Sequence, residues 1–279
     1  MAAMTGAPAH LETPTAPEPE RLGRVFRQHL QTTRLLGVDF VPLGRARANP
    51  SPQAGSAPAA PSAPGPSTVV EVKGQARPAP SDGGSDNERE RRRALLKELR
   101  ARHDAQCPHC TKAQGWTHTV FGEGDPCARL MFVGEAPGAD EDRTGRPFVG
   151  RAGQKLDDMI KAMGLRREEV FIANVLKTRP PENATPTPEE AERCGPYLRE
   201  QIGVIRPRVI VTLGKPAANY LLGNRDTMGS LRGRWAMYGD IPLMPTFHPA
   251  YLLRAYTREN REKVWSDLQQ AMTRLRGGA

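Results

Sequence analysis

Apolar runs and helical patterns alternate along the C-terminal two-thirds of the chain. Four apolar runs end in turn residues and predict buried strands: ARLMFVGEAPG from residue 128, EVFIANVLK from 169, RPRVIVTLG from 206 and IPLMPTFHP from 241. Helical spacing occurs in AGQKLDDMIKAMGL, TPEEAERCGPYLREQIGVI, KPAANYLLG and about Arg258 to Leu275. This alternation is typical of a parallel sheet covered on both faces. The sequence therefore predicts an α/β fold, a three-layer αβα domain with a central, mostly parallel four-stranded sheet.

The N-terminal third has a different pattern. Apolar residues at roughly helical spacing predict one short amphipathic helix at about 17–36. Residues 41–81 then carry nine prolines and no aromatic residue, so they cannot bury enough apolar surface to fold. A charged helix from Asn87 to Arg102, capped by Ser85 or Asp86, follows. We therefore expect residues 1–86 to be a mostly disordered Pro/Ala-rich extension and residues 87–279 to form the folded domain.

Charge and composition narrow the class of protein. The net charge of +9 suits a polyanionic partner, but residues 104–279 hold 25 basic and 21 acidic side chains, so any such contact needs a local patch. No stretch approaches the roughly 20 apolar residues of a membrane span, and the N-terminus lacks a signal-peptide pattern. We expect a cytoplasmic protein whose four cysteines are metal ligands or buried thiols rather than disulfides.

Polar side chains follow the predicted strands, where a parallel sheet binds its ligands. Glu135, Asn174 and His248 each come directly at or after a strand end. Taken singly, the asparagine suits a turn and the histidine a hydrogen-bonded loop. Together, a carboxylate, a carboxamide and an imidazole suit the recognition of a polar heterocycle and acid–base or electrostatic catalysis.

Longer motifs carry a resemblance to a known family. GEAPGADEDRTGRPFVGRAGQ, IANVLKTRPPENATPTPEE, Cys194, VTLG and FHPAYLLR follow in order between about Cys107 and Arg254. They resemble the type-4 uracil-DNA glycosylases, the iron–sulfur members of the uracil-DNA glycosylase superfamily. The resemblance covers more than half of the chain and omits residues 1–86. It implies a base excision repair enzyme that flips uracil out of DNA and hydrolyses the N-glycosidic bond, which leaves an abasic site.

Two other functions remain open from the sequence. A uracil-DNA binding protein with lost turnover would share the motifs, although Glu135, Glu141, Asn174 and His248 argue against it. A nucleotide-binding doubly wound domain would need a GxGxxG turn or a lysine-bearing phosphate loop, and the chain has neither.

The resemblance also implies roles for individual residues. It implies catalysis by Glu135, Glu141 and His248, with Glu141 orienting the attacking water and His248 donating to uracil O2. The implied substrate-binding positions are Gly134, Ala136, Phe148, Asn174 and Asn183. In this set the flipped base stacks on Phe148, and Asn174 reads the O4/N3 edge of uracil. Alternatively, Phe148 is an aromatic residue of the hydrophobic core.

The segment after the histidine is implied to contact DNA. Leu253 and Arg254 would enter the duplex beside the lesion, which is a function suited to apolar wedges and arginines. The alternative is the start of a helix packed on the core. The partner is therefore DNA containing uracil, and we expect a monomer. The helix at about 17–36 would dock on a repair or replication partner or have no role. The charged helix is expected both to contact phosphates and to pack Leu95, Leu96 and Leu99 on the domain.

The cysteine pattern departs from the family. The resemblance implies a 4Fe–4S cluster with Cys107, Cys110 and Cys194 as ligands, but Thr178 stands where the fourth cysteine is expected. A hydroxyl is a poor ligand for soft iron. Cys127 lies at the start of a strand, too far away to replace it, and His109 sits between cysteines that already face the metal. A three-cysteine cluster with an external or weak fourth ligand, a three-iron cluster and a metal-free site all remain open. The expected role of the cluster is structural.

Overall fold

The computed structural model describes residues 85–110 and 112–277. The predicted disordered extension and the predicted helix at about 17–36 lie outside the described residues. The first helix of the described part is α1 (Asp86–Gln106). The predicted division between residues 86 and 87 stays a prediction. Ser85 caps this helix, because its side chain accepts a hydrogen bond from the Glu88 backbone N–H.

The described residues form one mixed sheet of six strands in the order β1-β3-β2-β4-β6-β5. The strands are β1 (Glu123–Gly124), β2 (Leu130–Gly134), β3 (Phe171–Asn174), β4 (Val209–Leu213), β5 (Ala236–Tyr238) and β6 (Ile241–Thr246). The four predicted strands are β2, β3, β4 and β6, and they pair in parallel. The predicted number of four was wrong, because β1 and β5 add antiparallel edges. These short strands have no buried residue and so leave no apolar run in the sequence.

Helices follow the strands as the sequence predicts. After α1 the chain forms α2 (Ala139–Thr144), α3 (Arg151–Ala162), α4 (Pro188–Ile205), α5 (Lys215–Leu222), α6 (Met228–Leu231), α7 (Pro249–Arg254) and α8 (Arg258–Arg276). Two 3₁₀ turns cover Arg167–Glu169 and Pro181–Asn183. The short helices α2, α6 and α7 are too brief to show a helical period in the sequence. Within the described ranges, every helix is too short or too polar to cross a bilayer.

The sheet is covered on both faces, which confirms the αβα layers. Apolar residues of α3 and α8 pack with one face of the strands, around Phe132 and Val211. Residues of α4 and α5 pack with the other face, around Met131 and Ile210. The strands are therefore buried on both sides and read as continuous apolar runs rather than as an alternation.

Helix α1 docks on the outside of α4. Leu99 is buried, Leu96 packs against the apolar cluster beneath it, and the buried Arg92 donates to the carbonyl oxygen of Ile205 over 2.7 Å. Leu95 is 38% exposed, so its predicted packing was wrong. This docking matters for the site, because it fixes the position of the C-terminal turn of α1.

Candidate functional site

The carboxyl ends of the parallel strands meet at one edge of the sheet. Gly134 at the end of β2 pairs with Asn174 at the end of β3, and Leu213 at the end of β4 pairs with Thr246 at the end of β6. The chain crosses from β3, on one side of β2, to β4 on the other side. The strand order therefore reverses beside β2, and such a reversal opens a ligand crevice.

Gly134 allows two predicted substrate residues to approach each other. A Cβ atom built on Gly134 would lie 2.3 Å from Asn174 Oδ1 and 2.5 Å from Phe148 Cζ, so a larger residue would displace both. Phe148 and Asn174 are buried, and Oδ1 of Asn174 has no hydrogen-bond partner among the described residues. A buried acceptor without a partner is costly unless a ligand supplies a donor.

Glu141 holds the loop that carries Phe148. Its Oε1 accepts from the backbone N–H groups of Val149 (2.8 Å) and Gly150 (2.9 Å), and its Oε2 accepts from the N–H of Gly138 (3.1 Å). These bonds join the turn after β2 to the loop after α2. Phe148 has a positive φ of 50°, a strained backbone conformation for a bulky residue. The carboxylate is thus committed to the backbone that supports this conformation.

His248 caps α7 and packs beside Phe148. The two rings are tilted, with centroids 5.6 Å apart. Nδ1 of His248 accepts a hydrogen bond from the Ala250 backbone N–H over 3.1 Å, so in the neutral ring the proton lies on Nε2. Burial, together with the charge of Arg254, lowers the pKa of His248 to about 4, despite the opposing effect of Glu141. At neutral pH the imidazole is therefore an uncharged Nε2–H donor.

Glu135 and His248 line a cleft of about 1060 Å³ at this edge of the sheet. Glu135 is half-buried. Burial raises the pKa of its carboxyl, and a hydrogen bond from Thr185 partly offsets this effect. Phe148, Asn174 and Glu141 do not line the open cleft, but the ring of Phe148 packs beside that of His248, which does. The cleft thus brings together a carboxylate and an imidazole, and the predicted base-stacking residue contacts the imidazole.

The cleft is edged by positive charge. Arg199, Lys215, Arg225 and Arg254 all line it. Leu253 and Arg254 are exposed on α7, whereas Leu252 is buried in the core. The segment is therefore a helix packed on the core through Leu252, and its next two residues face outward. Contact of Leu253 and Arg254 with DNA stays a prediction.

Two predicted binding positions lie away from the cleft. Asn183 is exposed, and its Oδ1 accepts from Arg179 Nε over 2.8 Å. Thr185 and Pro186, two positions that the sequence did not single out, line the cleft instead. Ala136 packs against a buried group of cysteines. The placement of Asn183 follows from the path of the chain around the Pro181–Asn183 turn, which has no periodic pattern in the sequence.

The cysteine group contains a histidine that the sequence analysis missed. His103, Cys107, Cys110 and Cys194 are all buried, and their ligand atoms lie within 4.8 Å of one another. Cys110 Sγ is 3.5 Å from Cys194 Sγ and 3.4 Å from Thr178 Oγ1. Cys127 and His109 do not belong to the group. The signal for His103 was its position four residues before Cys107, which places both on one face at the end of α1.

A buried lysine connects this cysteine group to the cleft wall. Lys177 is fully buried, and its Nζ donates to the carbonyl oxygen of Asn174 (2.8 Å) and to Gln201 Oε1 (2.6 Å). Gln201 in turn donates to the carbonyl oxygen of Phe121. Burial lowers the pKa of Lys177 to about 8, while the nearby cysteines oppose the shift. The lysine thereby fixes the backbone of Asn174 between the two sites.

Comparison with known proteins agrees with the motifs. Residues 121–269 match the model of the uracil DNA glycosylase superfamily. The chain is 44% identical over 183 residues to a type-4 uracil-DNA glycosylase of Thermotoga maritima, which covers 64% of this chain and 94% of that protein. It is also 44% identical to a type-4 enzyme of Archaeoglobus fulgidus, over 59% of this chain and 85% of that protein. A type-5 uracil-DNA glycosylase of Thermus thermophilus is 36% identical over 56% of this chain and 80% of its own length. The chain therefore belongs to the uracil DNA glycosylase superfamily and groups with its type-4 members.

Proposed function

We propose that this protein excises uracil from DNA by hydrolysing the N-glycosidic bond. The abasic site that it leaves is the starting point of base excision repair. The observation that carries the proposal is the buried Oδ1 of Asn174, which lies beside Phe148 at the strand ends and has no hydrogen-bond partner in the described part of the chain. Uracil offers an N3–H donor to such an acceptor, whereas cytosine offers an acceptor at N3. Asn174 therefore selects uracil through a hydrogen bond that cytosine cannot make.

In this proposal His248 donates a hydrogen bond to the departing uracil. Cleavage of the bond between C1′ and N1 leaves negative charge on uracil O2, and a fixed donor aimed at that oxygen stabilises it. The Ala250 N–H bond to Nδ1 keeps the proton on Nε2, and the low pKa keeps the ring neutral. Stacking on Phe148 would contribute about 1–3 kcal/mol, which offsets part of the cost of flipping the base.

The two glutamates have different roles in this proposal. Glu135 lines the cleft, where its carboxylate accepts a hydrogen bond from Thr185 and can also orient the attacking water toward C1′. Glu141 already accepts three backbone hydrogen bonds, so it acts as a positioning residue that holds the Phe148 loop. The sequence resemblance had implied instead that Glu141 orients the attacking water.

Excision by the full chain tests the function directly. The substrate is a labelled single-stranded oligonucleotide with one uracil, read out by alkaline cleavage at the abasic site. A matched oligonucleotide with cytosine at the same position is the control. Strand cleavage at uracil alone is the expected result. Tight binding of the uracil strand without base release would contradict the proposal and favour a binding protein with lost turnover.

The pH dependence of the excision rate is expected to follow the titration of the Glu135 carboxyl. The rate should fall on the acid side with an apparent pKa above the ordinary glutamate value, because burial raises the pKa of this carboxyl and only the carboxylate orients water. His248, with a pKa of about 4, contributes no change between about pH 5 and 8. Glu135→Gln should lower the rate and abolish the acid limb. A variant that is slow but keeps the limb would contradict the role given to Glu135.

The cationic edge of the cleft is expected to bind DNA phosphates. Arg254→Ala should weaken binding and reduce the slope of log K against log salt by about one unit, since each phosphate contact releases counterions. Arg276→Ala is the matched control, because Arg276 is exposed at the end of α8 and does not line the cleft. Fluorescence anisotropy at several salt concentrations measures both slopes. Equal slopes for the two variants would contradict a contact between Arg254 and a DNA phosphate.

The cysteine group is proposed to hold the 4Fe–4S cluster that the family resemblance implies. The chemistry of the donors fits, because three buried cysteines and an imidazole favour soft metal centres. Such a cluster, when bound, supplies a rigid cross-link rather than a reaction step, since glycosidic hydrolysis transfers no electron. It would tie the end of α1 to α4 and to the Lys177 segment that supports Asn174. Iron and sulfide analysis of anaerobically purified protein tests it, and absence of iron would contradict it.

A further inference from the structure

We propose that His103 is the fourth protein ligand of the metal centre and replaces the cysteine that is missing at position 178. This inference rests on the proposed metal centre but not on glycosylase activity. It concerns a thiol- and imidazole-binding metal, either in an iron–sulfur cluster or as a single tetrahedral ion such as zinc.

The position of the imidazole supports ligation. His103 is fully buried at the last turn of α1, and its Nε2 lies 3.2 Å from Cys110 Sγ and 3.9 Å from Cys194 Sγ. No other histidine of the described residues joins the group. Without a metal, Nε2 of this completely buried imidazole has the sulfur of Cys110 as its hydrogen-bond partner. A metal held by the same cysteine sulfurs would lie beside this nitrogen and replace that hydrogen bond with a metal–nitrogen bond.

The other ring nitrogen is held as in known metal-binding histidines. Nδ1 of His103 lies 2.8 Å from Asp104 Oδ1, so a proton on Nδ1 is donated to a carboxylate and the lone pair of Nε2 faces the sulfurs. The ring also makes an edge-on contact with Tyr197 at a centroid distance of 4.9 Å. These contacts fix the tautomer and the ring plane before any metal binds.

Thr178 is placed to support the group rather than to ligate. Its hydroxyl donates a hydrogen bond to Cys110 Sγ over 3.4 Å. A neutral hydroxyl binds soft metals poorly, whereas imidazole binds both iron and zinc. Thr178, at the position of the expected cysteine, thus adjoins the site without binding the metal. His103 of α1 is the fourth ligand in its place.

The spacing of the ligand atoms bears on which metal binds. Tetrahedral zinc with bonds of about 2.0–2.3 Å holds its ligands at separations similar to those seen here, all within 4.8 Å. In an iron–sulfur cube each ligand binds a different iron, so the side chains would have to move apart. The experiment therefore measures both metals.

Three variants of the full chain test the assignment by metal content. His103→Ala should bind iron or zinc about tenfold or more weakly, since removing even an outer partner of a ligand typically costs this much. His109→Ala is the matched control, because this histidine lies between the same two cysteines but outside the group. The double variant His103→Ala with Thr178→Cys should recover metal, because its new sulfur adjoins Cys110. The contents of iron, zinc and sulfide are measured on anaerobically purified protein. Circular dichroism then shows whether each variant is folded.

Each result decides the assignment. Loss of metal in His103→Ala, retention in His109→Ala and recovery in the double variant would support it, with iron plus sulfide or zinc alone identifying the centre. Full metal content in His103→Ala, or equal loss in His109→Ala, would overturn it. If His103→Ala fails to fold, His103→Cys keeps four ligands. An unchanged absorption spectrum of that variant, with iron or with cobalt substituted for zinc, would then overturn the assignment, whatever the excision assay shows.

Discussion

Substituting alanine for His248 is expected to lower the rate of uracil excision by about 10²- to 10³-fold, the usual cost of losing one fixed donor to a developing anion. The imidazole is neutral, and its proton is held on Nε2 by the bond from Ala250 N–H to Nδ1. The loss should appear in the single-turnover rate at saturating enzyme. Substrate binding should change less, because the charge on O2 develops only as the bond breaks.

The control for this variant separates the donor from the helix cap. Asparagine is a good N-cap residue and can still accept from the Ala250 N–H, but it is shorter than histidine and cannot reach the same oxygen. His248→Asn should therefore keep the thermal stability that His248→Ala loses, and both should be slow. A single-turnover rate within about tenfold of wild type in either variant would contradict the role assigned to His248.

The central part of the fold was predictable because burial leaves a clear pattern. Strands covered on both faces become apolar runs, and the ends of these runs predict that Gly134, Asn174 and His248 lie at one edge of the sheet. The edge strands were not predictable, because their side chains are half-buried or exposed. The short helix α7 was left open for a similar reason, since six residues do not show a period.

The ligand set shows a different limit of sequence reasoning. The spacing of Cys107 and Cys110 indicated a metal site, and the family motif added Cys194. His103 was overlooked because only the docking of α1 on α4 brings it to Cys194, a residue 91 positions away. His109 attracted attention as the nearer histidine in sequence, but the structure places it outside the group. The spacing of four residues between His103 and Cys107 is a local signal, but the contact with Cys194 depends on tertiary packing and leaves no local pattern.

The hydrogen bonds of Glu141 to the backbone could not be predicted from the sequence either. The motif suggested a carboxylate near the attacking water, and only the hydrogen bonds show that its oxygens serve Gly138, Val149 and Gly150. These three bonds connect the turn after β2 to the loop that holds Phe148 at positive φ. A residue can therefore be necessary for activity because it supports the backbone around the base.

Glu141→Ala is expected to unfold more easily and to lose base binding. Hydrogen bonds to charged groups contribute about 1.5–3 kcal/mol each, and after partial solvation of the freed N–H groups we expect a total loss of about 3 kcal/mol. For a domain of this size the melting temperature should fall by about 6–12 °C. Excision should also fall because the Phe148 loop is no longer held. Calorimetry and an excision series over substrate concentration measure the two effects.

Two further variants distinguish a positioning residue from a direct catalyst. Glu141→Gln keeps one acceptor oxygen for Val149 and Gly150 but turns an amide toward the Gly138 N–H, so both stability and activity should be intermediate. Asp140→Ala is the control, because among the described residues this neighbouring exposed carboxylate forms an ion pair with Arg143 of its own helix and no other. It should alter neither stability nor activity. If Glu141 also oriented the water, Glu141→Gln would lose kcat as fully as Glu141→Ala, although its melting temperature would stay intermediate. Destabilisation together with a raised KM is the outcome that the three backbone hydrogen bonds require.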